Sequence, residues 1–416
     1  MAAVEENRLL QLRSVWQKDL FENVVPFWLE HGLDEEHGGY FTCLDEDGSC
    51  YDDTKFMWLN GRALYTFSRL YCEFPGAADR NKWRRAAEIG APFLDRALDE
   101  HGALFFSTTR AGERLHFQRK PYAAVFYAQG CLQYYRMLKV IEDEKGEPHH
   151  EDADAVYGKA AAMFERLLEW IEDPTKCGRP PRPHPEAASS LADVMCVASL
   201  SLDFLQISAD AATRDRHRAR VADVQRKVLA HYDRDRRVFM EAATADGVDG
   251  STPAGRLFVP GHSIEVSWFL LQTCDEVPNE ALAAVALDAL EGSLERGWDD
   301  HHGGLVYMLD VEGRPLVDAT VTDTDKLWWP HTEALIALTM ALSRRNGDED
   351  RWLGWLNKVQ AYCYDHFATD KEWYGYLKED GTPRSRAKGG NYKGFFHLPR
   401  ALIMCVQMAG PQYYRW

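Results

Sequence analysis

The sequence predicts an all-α protein whose chain closes into one ring of six helical pairs, with short β-hairpins at one mouth. Two observations carry this. A corner, usually marked by glycine, returns near Gly39, Gly102, Gly178, Val238, Gly304 and Gly375, an interval of roughly 60–75 residues. Each corner stands between two segments with apolar residues at helical spacing, so each unit reads as helix, hairpin, helix. A unit of that kind cannot bury its apolar face alone and must pack on its neighbours. Closing six of them into a ring removes exposed ends and makes residues 1–416 a single domain. The alternative architecture is an open α-solenoid with a concave binding surface.

The elements follow in order. An amphipathic helix from about Asn7 to His31 carries Leu10, Leu12, Val15, Trp16 and Leu20 at near-helical spacing. LDEEHGGYFTCLDEDGSCYDD then reads as a hairpin, with a Gly-Gly break and an Asp-Gly turn. MWLNGRALYTFSRLYCEF is the second helix, and Lys82 to Leu98 the third. LDEHGALFFSTTRAGERLHF repeats the acidic-His-Gly corner before helices at about Ala124–Glu142 and Ala153–Ile171. In the third unit the irregular EDPTKCGRPPRPHP replaces the hairpin. Helices near Ser190–Gln206 and Arg214–Tyr232 lead to DRDRRVFMEAATADG, a hairpin without the double glycine. After the helix that holds His262 and another near Glu280–Arg296 comes WDDHHGGLVYMLDVEGRP, the nearest match to the first hairpin. Helices near Lys326–Arg344 and Trp352–Phe367, the corner TDKEWYGYLKEDGTP, and a helix from Phe395 to Met408 complete the chain.

Composition bounds the function. The 416 residues are 45% hydrophobic and 27% charged, as in ordinary globular proteins. The formal net charge of −17 argues against nucleic acid or an anionic membrane as partner. No apolar run approaches the roughly 20 residues that span a bilayer, and the acidic opening MAAVEENRLLQLRSVW is unlike a signal peptide. Nine scattered cysteines with no CxxC pair read as reduced thiols of a cytoplasmic protein. The 13 tryptophans are generous, and such faces suit a sugar-sized pocket as well as a core.

The second helix of each unit begins just after its corner, so all six starts should share one mouth. They carry Trp58 and Arg62; Tyr122 and Phe126; Ser190 and Asp193; His262 and Glu265; Trp328, Trp329, His331 and Glu333; His397 and Arg400. Within VPGHSIEVSWFLL, His262 and Glu265 lie three apart and share a helix face. A capping turn would account for one such stretch, but not for its return in several repeats. The starts therefore predict an aromatic-lined pocket with a polar floor.

Two histidines on different helices, with arginine and carboxylates, suit proton transfer near neutral pH. Arginine cannot deprotonate and offers a fork of donors to an oxygen that becomes anionic as a carbanion forms beside a carbonyl. Two other chemistries use the same residues. A glycosidase would pair Glu265 with Glu333 or Asp193, and needs no histidines. A metal could be held by His262, Glu265 and His397, but the arginines would repel it, so no metal is expected. His301, His302, His149 and His150 read as turn or loop residues. KGGNYKG lacks the ending of a phosphate loop and reads as an approach to His397 or an anion contact through Lys388 and Lys393.

Read together, EHGGYFTCL with YDDTKFMWLNGR, PGHSIEVSWFLL, GWDDHHGGLVY, KLWWPHTEALIA and KGGNYKGFFHLPR resemble the N-acylglucosamine 2-epimerase family, known in mammals also for renin binding. The motifs run from the first hairpin to the last helix. The resemblance implies an (α/α)6 barrel that reversibly interconverts N-acetylglucosamine and N-acetylmannosamine, in amino-sugar and sialic acid metabolism. It implies that one of His262 and His397 takes the C2 proton of the ring-opened sugar and the other returns one to the opposite face. Arg62 and Arg400 become ligands of the developing oxyanion or sugar oxygens, and Glu265 and Glu333 orienting or proton-handling carboxylates. Trp58, Tyr122, Trp328, Trp329 and His331 are expected to bind substrate. ATP as an allosteric activator, a homodimer, and a protease such as renin as partner are implied in the same way. Related members act as epimerases of cellobiose or mannose or as aldose–ketose isomerases, and a non-catalytic protein-binding scaffold is the alternative of another class. PEAASSLADVM, at the third repeat, is the stretch least like the family.

Overall fold

A computed structural model describes residues 2–178, 189–314, 316, 323–344 and 347–410. Its helices are α1 (Ala2–Lys18) and α2 (Val25–His31), α3 (Met57–Glu73), α4 (Arg80–Leu94), α5 (Tyr122–Lys145), α6 (Ala153–Glu172) and α7 (Leu191–Ile207). They continue with α8 (Ala211–Val228), the single turn α9 (Pro253–Arg256), α10 (Pro260–Glu276), α11 (Glu280–Gly297), α12 (Trp328–Ser343), α13 (Glu349–Tyr362) and α14 (His397–Met408). The expected helices are present, with ends displaced by a few residues.

Hydrophobic pattern sorts the helices into two layers. In α12 every residue from Thr332 to Leu342 is buried, as a helix surrounded by protein requires. In α8, AATRDRHRARVADVQRKV, burial is confined to His217, Val221, Val224, Gln225 and Val228, one stripe of an outer helix. The inner ring runs α3, α5, α7, α10, α12, α14, each touching the next, and closes where α14 meets α3. The outer partners are α1–α2, α4, α6, α8, α11 and α13, which makes an (α/α)6 barrel. One hydrophobic cluster extends from Leu9 to Ala409 through all six pairs. Each fully buried Leu or Phe in it contributes about 1.5–3 kcal/mol.

The first helix is broken by a π-helical turn, Asp19–Val24, and a second π turn, Cys363–Phe367, ends α13. The two meet: Tyr364 and Trp373 donate to the Asp19 carboxylate at 3.0 and 2.8 Å.

The hairpins do more than expected. Some strands pair locally, as Cys43–Leu44 does with Cys50–Asp52. Others pair across units: Lys55–Phe56 with Ser107–Thr108, Ser189–Ser190 with Ala242–Ala243, Leu257–Phe258 with Leu309–Asp310, and Lys326–Leu327 with Tyr376–Leu377. Four inner helices, α3, α7, α10 and α12, are thus entered from a strand bonded to the next unit, which satisfies edge groups that a lone two-residue hairpin would leave open.

The acidic corners have a matching role. Asp34 accepts from the backbone N–H groups of Glu36 and His37, and Lys55 Nζ lies 2.7 Å from its Oδ2. Asp299 repeats this with the N–H groups of His301 and His302 and with Lys326 Nζ at 2.5 Å. Lys55 and Lys326 are fully buried, so each corner fixes the residues that lead into an inner helix. His301 and His302 supply backbone N–H groups there, as turn residues.

All nine cysteines are free thiols. No described helix is long and apolar enough to cross a membrane.

Candidate active site

The inner helices start at the hairpin end, and their first turns meet there. Trp58 is the second residue of α3, His262 the third of α10, Trp329 the second of α12 and His397 the first of α14. Gly261 lets α10 approach: a Cβ there would lie 2.5 Å from the Trp329 ring. That closeness puts the Trp329 ring centroid 5.0 Å from His262 and 5.9 Å from His397. The two imidazoles therefore flank one indole.

Their surroundings differ. His397 Nδ1 lies 2.8 Å from Glu333 Oε1, deep in the ring. Burial, with the Arg62 and Arg400 cations nearby, holds the His397 imidazole well below its ordinary pKa. It is therefore neutral, its Nδ1–H donating to Glu333 and its Nε2 left as an acceptor. His262 sits at the rim, partly exposed, with Nδ1 2.9 Å from Glu241 Oε1. Burial opposes its charge, but the nearby carboxylates, Glu241 first and then Glu265 and Glu333, outweigh it and raise its pKa. The opposite shifts suit one histidine to accept a proton and the other to donate one.

Beneath them lies a charge network. Arg400 Nη2 is 2.8 Å from Glu265 Oε1 and 2.6 Å from Glu333 Oε1, and Trp268 Nε1 donates to Glu333 Oε2 at 3.0 Å. Burial raises the Glu333 pKa against these partners. Glu265, Glu333 and His397 converge as metal ligands might, but a guanidinium nitrogen already occupies their meeting point and supplies the cation. The same Arg400 nitrogen stands between the two glutamates, where glycoside hydrolysis would need the glycosidic bond.

Arg62 is held differently. Gly61 and Gly130 bring α3 and α5 into backbone contact, since a Cβ on Gly61 would meet the Phe126 carbonyl oxygen at 2.3 Å. The Arg62 guanidinium then packs on Phe126 at 3.9 Å, Trp58 at 4.4 Å and Phe396 at 4.7 Å. It forms no ion pair among the described residues, and its Nε has no partner. Burial and the nearby Arg400 lower its pKa to about 9. A caged cation without a carboxylate suits an oxygen that becomes charged only during reaction.

Two expectations need correction. His331, expected to bind substrate, is fully buried; its Nε2 accepts from the Leu305 N–H at 2.8 Å and its Nδ1 faces the Leu327 carbonyl at 2.6 Å. Both ring nitrogens are spent on backbone, and burial lowers its pKa to about 3. Trp328 is 3% exposed and packs behind His397, between Tyr376 and Lys393, without a face for substrate. Arg400, expected on the developing oxyanion or a sugar oxygen, has its Nη2 on two carboxylates and its Nε without a partner. Trp58 and Trp329 keep half-buried positions at the mouth. Tyr122 opens α5 and is half-buried. In the third unit Asp193 is buried, while PEAASSLADVM before Ser189 and residues 179–184 lie outside the described residues.

Sequence reading passed over Glu241 and Trp268. Glu241 follows a hairpin strand and no local pattern ties it to His262, 21 positions on. Trp268 reads as core within SWFLL. Lys388 and Lys393 are not a free anion site, because Lys393 Nζ pairs with Glu372 at 2.8 Å and bonds the Lys388 carbonyl, while Lys388 Nζ bonds Thr369.

The barrel and its paired histidines suit an isomerase that works by proton transfer. Comparison with known proteins agrees. The profile of the N-acylglucosamine 2-epimerase (GlcNAc 2-epimerase) family matches residues 39–401. The N-acylglucosamine 2-epimerase of Bos taurus is 34% identical over 93% of this chain and 89% of its own length. That of Homo sapiens is 32% identical over 94% and 88%. The structure of cellobiose 2-epimerase from Spirochaeta thermophila shares the fold, with a TM-score of 0.75 and 22% identity over 97% of this chain and 98% of that one. The chain belongs to the N-acylglucosamine 2-epimerase family.

Proposed function

We propose that the protein interconverts N-acetylglucosamine and N-acetylmannosamine by moving the proton at C2. The observation that carries this is the pair of imidazoles flanking Trp329, one biased to accept a proton and the other to donate. Inversion at carbon needs a proton taken from one face and returned to the other, and a single base cannot do both without turning the intermediate over. The choice of N-acylated sugar is supported by the 34% identity to the bovine enzyme of that name.

In the open-chain aldehyde, neutral His397 takes the C2 proton through Nε2, and the C–H electrons move to the carbonyl oxygen. Arg62 receives that oxyanion, and Glu333 steadies the imidazolium formed. Protonated His262 then gives its proton to the opposite face of C2, and the carbonyl re-forms. The reverse reaction exchanges the histidines' roles. Glu265 and Arg400 hold Glu333 and His397 in place. Nucleotide activation and a homodimer are part of the same reading, tested by assaying with and without ATP and by light scattering.

The deciding experiment is conversion of N-acetylmannosamine in heavy water. N-acetylglucosamine carrying deuterium at C2 is expected. A ketose product, or epimer without solvent deuterium, overturns the reading.

A further inference from the structure

A second chamber lies on the barrel axis, on the far side of Arg400 and Trp268 from the histidines. Its volume is about 220 Å³, and its walls come from later turns of the inner helices, including Gln129, Asp203 and Gln206. Position along the helices separates it from the reacting mouth: Arg69, on its wall, stands about three turns beyond Trp58.

The wall carries both signs of charge, and its arginines are already paired. Arg69 and Arg136 both bond the Glu73 carboxylate, at 2.7 and 3.2 Å. Arg400 is held by Glu265 and Glu333. An entering anion would find no unpaired cation, and Asp203, the wall carboxylate outside these pairs, accepts from Gln129 and has its pKa pushed up to about 6 by burial, so the chamber suits a neutral ligand.

Hydrogen bonding is incomplete, and in a particular way. Gln129 is 5% exposed, and its Nε2 donates to Ser199 Oγ and Asp203 Oδ2, both at 2.9 Å. Those bonds fix the amide, leaving Oε1 as a buried acceptor without a partner. Arg400, also 5% exposed, has a buried Nε donor without one. Hydroxyl groups can answer both, since each can donate or accept. Trp268 and Phe269, packed edge to face at 4.2 Å, add apolar surface beside these polar groups. The volume holds about seven waters at roughly 30 Å³ each, or one six-carbon polyol in their place.

We propose that this distal chamber is a second binding site, for a neutral polyhydroxylated molecule of single-sugar size, distinct from the mouth where the histidines meet. Such a ligand touches Arg400 and Trp268 from behind, and both side chains hydrogen-bond Glu333. The inference stands whichever sugar the reacting mouth takes.

Calorimetric titration with glucitol, which has no carbonyl to react, tests it in the wild type, Gln129→Leu and Gln206→Trp. Gln129→Leu removes the orphan acceptor; Gln206 is exposed at the chamber's rim, so tryptophan there blocks entry without disturbing the core. Glucitol is expected to bind the wild type, to bind Gln129→Leu about tenfold more weakly, and not to bind Gln206→Trp, while both variants keep the wild-type KM for substrate. No heat of binding in the wild type means that the chamber holds water only. Equal affinity in all three proteins places glucitol elsewhere. Either result overturns the proposal.

Discussion

Glu241 holds the Nδ1 of His262 at 2.9 Å, from a hairpin strand end to the first turn of the next inner helix. This contact favours the protonated form of the rim histidine, while burial favours the neutral form of His397. The pair therefore rests with one proton between them. Adding a second charges His397, which requires pH below the ordinary histidine range, and losing the first discharges His262, which requires pH above it. A broad bell in kcat/KM is expected, the same for both directions of reaction because both use the singly protonated pair. Rates measured across pH check this; a profile that lacks either limb contradicts it.

Glu241→Gln keeps the shape of the contact and removes its charge. Its basic limb should move toward acid by about one pH unit, while the acid limb stays. An unchanged basic limb would mean that Glu241 does not govern the His262 proton.

His262→Asn and His397→Asn should each cut epimerisation by about 10²–10⁴-fold. Each retains one base, so each should still wash deuterium into C2 of one epimer without converting it, and the two variants should choose different epimers. Proton NMR of each sugar in heavy water reads this directly. If both variants exchange the same epimer, the histidines do not serve opposite faces.

Arg62→Lys keeps a cation but loses the planar fork that packs on Phe126, Trp58 and Phe396. A fall in kcat of about 10²-fold or more with little change in KM is expected, because the oxyanion exists only on the way between epimers. A change confined to KM would make Arg62 a ground-state ligand instead.

His331→Asn should unfold at lower temperature, yet turn over normally per folded molecule. The folded imidazole is neutral down to a pKa of about 3, against 6.5 for the free group. The unfolded chain therefore binds the extra proton first, and stability from this site falls as pH drops from about 6.5 toward 3. Melting temperatures of wild type and variant across that range check the sign: the wild type should lose more of its advantage as acid is added.

Much of this protein was legible in the residues. Periodicity gave six helix–hairpin–helix units, and the position of each corner placed Trp58, Arg62, His262, Glu265, Trp329, Glu333, His397 and Arg400 at one end of a ring. That worked because a helix start is a local property, set by caps, glycines and apolar spacing within one unit. Cross-unit strand pairing was not legible, since Lys326–Leu327 and Tyr376–Leu377 meet only once the ring has closed.

Nor could the sequence rank the residues it brought together. His331 and His397 look alike in WWPHTE and FFHLPR, yet one has both nitrogens bonded to backbone and the other keeps one free. Arg62 and Arg400 look alike too, but carboxylates neutralise only Arg400. The sequence determined which side chains gather at the mouth, because the repeat and its local turns do so. Tertiary structure decided which of them are charged, free or already bonded, because those properties depend on burial and on partners such as Glu241 and Trp268, supplied by other parts of the ring.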